Sequence, residues 1–514
     1  MIPPEVSPVI QALLLALVIV PALGAVVVAL LPAGRDRAGR LVATGFAALT
    51  FVVALLLARP SVYGGGRLET TADGRLLFLP AVEVHTSWVP ALHLDLHLGL
   101  DGVSYPLVLL TTLLTLLCCA YTVWWAPDGG SGRTLVALLL VLEVGIVGTF
   151  LALNVVLFFV FFEVVLLPMY AVIAGWGGPG RRAAARKFVL YTLFGSVLLL
   201  LGVFTVVTAA GTGDLTVLAG GAGLSRTTQY VAFTLFAVAF AVKAPLWPLH
   251  TWLPDAHTEA PTVGSVVLAG VLLKMGTYGL IRIGLGVTPL GAVWASGVLG
   301  ILAVAAIVVG SLVCLRQTEL KRLIAYSSVG HMGFVLLGIA TVTITGVQAA
   351  LIGNVAHGII TGLLFFLAGA IKDRAHTGDL AELGGLRETA PRLAGLLGFA
   401  AIASLGLPGL AGFWGEAFAV VAAVQRGGPL WVTLAVVAAI GGALTAAYFL
   451  RLLRRVTHGP ATPLVAELPR PVPAGYEWAA WAPLVLLALL VGLMPALVLA
   501  GTGAPVEILT GGAW

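Results

Sequence analysis

Charge is scarce in this chain. Asp, Glu, Lys and Arg make up 10% of its 514 residues, against about 25% in soluble domains. Lysine is rarer still, at positions 187, 243, 274, 321 and 372 only. The cysteines are Cys118, Cys119 and Cys314. None has a CxxC or other metal-ligand spacing, which excludes an iron–sulfur or zinc site built on this chain's thiols. No phosphate-cradling glycine loop is evident. GWGGPG at 175–180 follows a helical run and not a strand, so it reads as a connection. Runs of about ten alternating residues, the mark of a membrane β-barrel, are missing. The net charge of +5 sits in separated basic clusters and does not suggest nucleic acid as a partner.

Apolar residues are present in abundance, at 60% of the chain, with a mean hydropathy of +1.08. Apolar segments of about 20 residues follow one another almost without pause, and lipid admits only helices there. The expectation is an all-α integral membrane protein with about fourteen transmembrane helices. They lie near 9–32, 40–58, 101–124, 133–151, 153–175, 184–209, 229–252, 260–283, 289–314, 323–343, 345–370, 391–424, 429–452 and 478–500. The first is read as a retained span, because MIPPEVSPVI has no basic start and carries Glu5. The long connection 59–99 mixes both signs of charge and shows no clear period.

Basic clusters follow the first, fifth, ninth, eleventh and thirteenth segments: Arg35, Arg37 and Arg40; Arg181, Arg182, Arg186 and Lys187; Arg316, Lys321 and Arg322; Lys372, Arg374, Arg387 and Arg392; Arg451, Arg454 and Arg455. All follow odd-numbered helices, so all share one side. The positive-inside rule makes that side the cytoplasm of a bacterial inner (cell) membrane, with both termini outside. Two helices look broken: the seventh at PLWPLHTWLP (245–254) and the twelfth at LGLPGLAGFWGE (405–416). They sit five helices apart and so run in opposite directions, as in an inverted repeat of helices 4–8 by helices 9–13. Matching breaks in two inverted halves point to a transport site. The implied organisation is 1–125 for helices 1–3 with a periplasmic loop, 126–285 and 286–456 for the two repeats, and 457–514 for a C-terminal helix.

Seven ionisable residues fall inside these segments: Glu143, Glu163, Lys243, Lys274, His331, His357 and Glu416. An ion at a helix centre costs about 2.5–3.5 kcal/mol on insertion scales, and intramembrane ions commonly mark proton relays. A structural reading stands beside this one for each residue: a Glu–Lys pair can hold helices together, and a histidine can be a satisfied core residue. The set as a whole, spread over both halves, favours a relay. Gly270, Lys274 and Tyr278 share a helix face, as do Gly353, His357 and Thr361, with Ser327 one turn before His331. A carboxylate about 4 Å from an ammonium contributes roughly 4 kcal/mol at an effective dielectric near 20. Making and breaking one such pair lets a buried lysine hold or release its proton. The expectation is that Glu163 pairs with Lys243, that Lys274 comes next, then His331 and His357, with Glu416 last before the far side. Asp255 or Thr258 is expected to cap the helix that follows the first break, with Pro261 in its first turn. His250 and His257 either join the relay or line an aqueous mouth.

The segments HTWLPDAHTEAPTVGSVVLAGVLLKMGTYGLIR (250–282), FFVFFEVVLLPMYAVIAGWGG (158–178), ELKRLIAYSSVGHMGF (319–334), NVAHGIITGLLFFLAGA (354–370) and ASLGLPGLAGFWGE (403–416) resemble the antiporter-like M-type membrane subunits of proton-pumping NADH–quinone oxidoreductase, respiratory complex I. The resemblance covers about helices 4–13. It implies that the family's helix-5 glutamate falls on Glu163, its helix-7 lysine on Lys243 and its helix-8 lysine on Lys274. The histidines fall on His331 and His357, the helix-12 acid on Glu416 and a further helix-4 glutamate on Glu143. It implies no redox cofactor in this chain, with FMN, iron–sulfur clusters and quinone in partner subunits. The implied partners are the L- and N-type membrane neighbours, the peripheral redox arm and the lipid membrane. One departure is Trp414, where a smaller or β-branched residue is expected before Gly415–Glu416; it would narrow the exit path. Rival readings are a cation/proton antiporter subunit of the Mrp type, a membrane hydrogenase subunit, and an L-type sister, which the chain's end at Trp514 disfavours. A bis-His haem protein using His331 and His357 and a passive scaffold complete the set.

Overall fold

The structure, a computed structural model, describes residues 8–32, 34–58, 66–70, 76–80, 82–468 and 472–510. Glu5, much of the 59–81 connection and Trp514 lie outside the described residues. Among the described residues, twelve helices are long and apolar enough to cross a membrane. They are α1 (Pro8–Leu30), α2 (Asp36–Leu56), α3 (Tyr105–Trp124), α4 (Gly132–Leu151), α5 (Val155–Trp176), α6 (Arg181–Ala210), α8 (Thr262–Leu285), α9 (Pro289–Cys314), α10 (Leu320–Ala340), α11 (Ile344–Ala375), α13 (Gly428–Val456) and α14 (Gly475–Leu493). The two other expected spans are the ones expected to break. Each forms two pieces: α7a (Arg226–Lys243) with α7b (Trp252–Glu259), and α12a (Pro391–Ser404) with α12b (Gly412–Arg426).

Local chemistry sets the helix starts. The Asn154 side chain accepts from the backbone N–H of Val156 and Leu157 to open α5. Glu319 accepts from Arg322 to open α10, and Thr343 from Gly346 to open α11. At the first break, Pro245 has no N–H to continue the ladder. The Trp252 indole reaches back to the freed Val242 carbonyl at 3.0 Å. At the second break, Gly406 and Gly409 take φ of 72° and 91°, backbone that favours glycine. The Ala411 N–H bonds to Ala488 O on α14, and the Trp414 indole to Gly492 O at 2.8 Å. Trp414 therefore fastens the break to α14.

The described part of the 59–99 connection is not irregular. It contains strands β1 (Gly66–Thr70), β2 (Leu76–Pro80), β3 (Val82–Val89) and β4 (Leu94–Leu100), paired as two antiparallel hairpins, β1–β2 and β3–β4. The period-2 signal was present in LDLHLGL (94–100), where Leu94, Leu98 and Leu100 are buried. The β3–β4 hairpin sits on the ends of α4 and α5, with Leu153 N–H donating to His97 O at 2.9 Å and the Asn154 amide to His93 O at 2.9 Å.

The basic clusters gather on the opposite face. Contacts there join Asp36 to Ser131, Glu259 to Gly180, Lys321 to Ala260, Lys372 to Glu319 and Arg451 to Gln317. Lys321, counted above with the loop cations, is in fact buried at 5% exposure. Asp255 pairs with Lys187 (2.7 Å) and Arg322 (3.0 Å), and Thr258 bonds back to Pro254 O. Neither caps α8: Pro261 occupies that position and no side chain bonds there. With cations nearby on α6 and α10, the Asp255 carboxylate gains more from ion pairs.

Lipid-facing and central helices separate by burial. In α8, α10 and α11, 94% of the spanning window is buried, against 33% in α1, α2 and α13. Lys274, His331 and His357 lie on those three central helices, where no lipid must be faced. Helix α8 is wound more loosely than the rest, with π turns at Leu268–Leu272 and Leu280–Leu285 on either side of Lys274, a local geometry frequent at functional sites.

Candidate functional site, a buried polar line through the central helices

Lys274 is fully buried. Its ammonium donates to Ala269 O, a carbonyl inside the first π turn, and lies 2.7 Å from His357 Nδ1 on α11. Close contact of the two helices makes this possible. A Cβ on Gly358 would sit 2.6 Å from Gly270 O and 2.5 Å from the Leu110 side chain. One turn along α8, Thr277 donates to Asn354 Oδ1 at 2.9 Å, tying the pair a second time.

The His357 and His331 rings are 6.0 Å apart, centroid to centroid. Both line a cavity of about 30 Å³ with Thr361, Ser404 and Glu416, a volume that suits a single water. His357 Nε2 has no hydrogen-bond partner among the described residues. His331 has two: Nδ1 lies 2.7 Å from Glu416 Oε1, and Nε2 lies 2.9 Å from the Ser404 hydroxyl at the end of α12a. The second break thus supplies both partners, Ser404 from before it and Glu416 from after it. Glu416 is also packed against Gly406, where a Cβ would come within 3.0 Å of Oε2.

The spatial order is Lys274, His357, His331, Glu416. This reverses the two histidines relative to the order along the chain. The reason is packing: α11 lies against α8, whereas α10 faces α12b and shares it with α11.

In the first half the geometry differs from the expected ion pair. Glu163 accepts a short hydrogen bond from the Ser196 hydroxyl of α6. Lys243, at the last turn of α7a, is 1% exposed, and its ammonium lies 4.8 Å above the Phe162 ring. Nζ has no hydrogen-bond partner among the described residues. The two groups are electrostatic neighbours without direct contact. Aromatic face and hydroxyl hold the separated charges in place of each other. Glu143 on α4 is fully buried near Cys119, with neither oxygen hydrogen-bonded among the described residues. It stands apart from the line. His257 is fully buried, stacked on Phe365 at 4.4 Å, and electrostatically close to both Lys321 and Lys274. His250 is buried beside Tyr326.

Several partners escaped sequence reasoning. Ser196, Asn354 and Ser404 are small polar residues in apolar runs, and nothing in one sequence separates them from packing residues. Asp101 was more accessible: LGLDGVSYP places a carboxylate beside a glycine turn ahead of a helix. It pairs at 2.6 Å with Arg282, which also bonds the Tyr278 hydroxyl.

The transmembrane family described as NADH:quinone oxidoreductase/Mrp antiporter matches residues 152–441. The chain belongs to that family. The family's match runs from the start of α5 into the first half of α13, and takes in every residue of the polar line. NADH-quinone oxidoreductase subunit M of Rhodobacter capsulatus is 40% identical over 95% of this chain and 94% of its own length. A chain of respiratory complex I from Thermus thermophilus superposes with a TM-score of 0.84 at 29% identity, covering 97% of this chain and 99% of that one. A chain of the Mrp complex from Dietzia sp. shares the fold, with a TM-score of 0.81 at 24% identity over 97% of this chain and 52% of that one.

Proposed function

We propose that this chain is the M-type membrane subunit of a proton-pumping NADH–quinone oxidoreductase and carries protons across the membrane. The observation that carries the reading is the buried line Lys274–His357–His331–Glu416 on the least lipid-exposed helices. Within it, the Lys274 ammonium hands a proton to His357 Nδ1. His357 Nε2 passes it across the small cavity to His331, and Glu416 receives it beside the second break. Lys243 and Glu163 form the loading half, where approach of the two charges and their separation onto Phe162 and Ser196 are the two states. FMN, iron–sulfur clusters and quinone belong to partner subunits, whose redox chemistry supplies the driving energy. Those partners are the L- and N-type membrane neighbours and the peripheral redox arm.

The arginine-rich face is read as cytoplasmic in a bacterial cell membrane, with both termini outside. Two inverted halves are supported by a repeated motif. Residues 212–215 and 377–380 both read Thr-Gly-Asp-Leu. The first bridges the start of α5 to the end of α6 through Val155 N to Gly213 O and Leu215 N to Leu153 O. The second bridges α10 to α11 through Leu320 N to Gly378 O and Leu380 N to Thr318 O. One lies on the hairpin face and the other on the arginine face, as inversion requires.

The Mrp-type reading shares the fold and would use the same lysines. The full-length 40% identity to a subunit M supports the oxidoreductase reading over it. Purification from native membranes separates the two: flavin and iron–sulfur signals with NADH-dependent quinone reduction support complex I, and cofactor-free hydrophobic partners support an antiporter. Within the complex, Lys243→Ala should abolish proton transport through this subunit, and full pumping by that variant would sink the relay.

A further inference from the structure

The relay leaves one charged cluster unexplained. His97 on β4 is 3% exposed, and both ring nitrogens face carboxylates: Nδ1 lies 2.9 Å from Asp214 Oδ2, and Nε2 lies 3.2 Å from Glu83 Oε2 on β3. His85 stacks on the same ring at 4.3 Å and itself approaches Asp95 at 3.7 Å. An imidazole between two acids must donate from both nitrogens, which only the protonated ring can do. The carboxylates outweigh the cost of burial and raise its pKa from 6.5 to about 9; against the cost of its own burial, the imidazolium and the hydrogen bonds from Thr216 hold Asp214 below its ordinary value.

The position of this cation matters more than its charge. Asp214 belongs to the Thr-Gly-Asp-Leu bridge that joins the outer ends of α5 and α6. Those helices carry Glu163 and Ser196. The His97 carbonyl accepts from Leu153, just ahead of α5. Four residues on, Asp101 pairs with Arg282 inside the second π turn of α8, the helix of Lys274. One short strand and the residue that follows it therefore grip the helices of both relay halves.

We propose that His97 is a positioning residue for proton transfer: its imidazolium locks the β3–β4 hairpin onto the α5–α6 bridge and, through the same strand, fixes Glu163 relative to Lys274. The inference rests on the relay reading above. It also fixes a pH dependence. Because the folded group is protonated up to about 9, the clamp is complete below the ordinary histidine value of 6.5 and is lost as pH rises through about 9. Asp214 remains ionised throughout that window.

The test uses the assembled complex in inside-out vesicles, with lumen and medium buffered separately. The hairpin face then looks into the lumen. Raising only the lumen pH from about 7 to about 10 should lower the initial proton uptake per NADH oxidised, with a midpoint near that of His97. His97→Gln should cut the uptake about two- to thirtyfold at neutral lumen pH, the range by which single residues alter a coupling network, and should erase the alkaline step. Asp214→Asn should do the same, and His97→Arg should restore uptake without the step. Wild-type yield and a retained step in His97→Gln overturn the proposal. If that variant does not assemble, a flat lumen profile in the wild type overturns it instead. Lys243→Ala reports separately on the relay: loss of pumping there with no effect at His97 defeats the clamp alone.

Discussion

Glu416 offers the sharpest perturbation of the line. Its Oε1 is 2.7 Å from His331 Nδ1, and the two side chains are 15% and 10% exposed. At that distance and an effective dielectric near 20, unit charges interact by about 6 kcal/mol. Partial exposure screens this, and hydrogen bonds to charged groups typically contribute about 1.5–3 kcal/mol net. Even the lower range is comparable with the roughly 2.3 kcal/mol needed to move one proton against 100 mV. Glu416→Gln keeps the shape of the site and removes the carboxylate that accepts at His331 Nδ1. Proton transfer through the line should slow about ten- to hundredfold. The assay is acidification of inside-out vesicles driven by NADH, normalised to complex assembled on native gels. Glu416→Asp, which retains the charge at a longer reach, should recover part of the loss. Wild-type acidification by a fully assembled Glu416→Gln complex would refute the assignment of Glu416 as the terminal group.

Two further outcomes follow from packing. Gly358→Ala places a methyl against Gly270 O and Leu110, so α8 and α11 must part at a cost of about 1–3 kcal/mol; the Lys274–His357 contact should lengthen, lowering both the melting temperature and proton uptake, and unchanged values for both would show that the close approach is dispensable. Glu477→Ala removes the two-pronged pair with Arg374, at 2.8 and 2.7 Å, that fastens α14 to the end of α11. Breaking such a buried pair costs about 3–5 kcal/mol, so thermal melting should drop while the assembled fraction pumps normally; loss of pumping in that fraction would tie α14 to the relay.

The polar line divides between what one sequence can carry and what it cannot. Burial of Lys274, His331 and His357 was legible because ionisable residues deep in apolar runs have no place facing lipid. The two breaks were legible because proline and glycine act on the local backbone. The strands at 59–99 were missed, because the alternation in LDLHLGL is short and its partner strand VEVHTSWV is half exposed. Lys321 shows the opposite failure: it lies in a basic cluster along the chain, but the end of α7b packs against the start of α10, and its ammonium meets the Ala260 carbonyl.

Composition and local periodicity by themselves determined a helical membrane protein with interior ions and two interrupted helices, because the bilayer penalises every alternative residue by residue. Which ion meets which was decided only in three dimensions. Lys274 and His357 are 83 positions apart and His331 and Glu416 are 85, and such contacts depend on how glycines let helices approach. The same holds for Glu163, which rests on Ser196, while Lys243 rests on Phe162. Hydrogen-bond geometry selects partners over distances of an ångström, and that scale is set by tertiary packing.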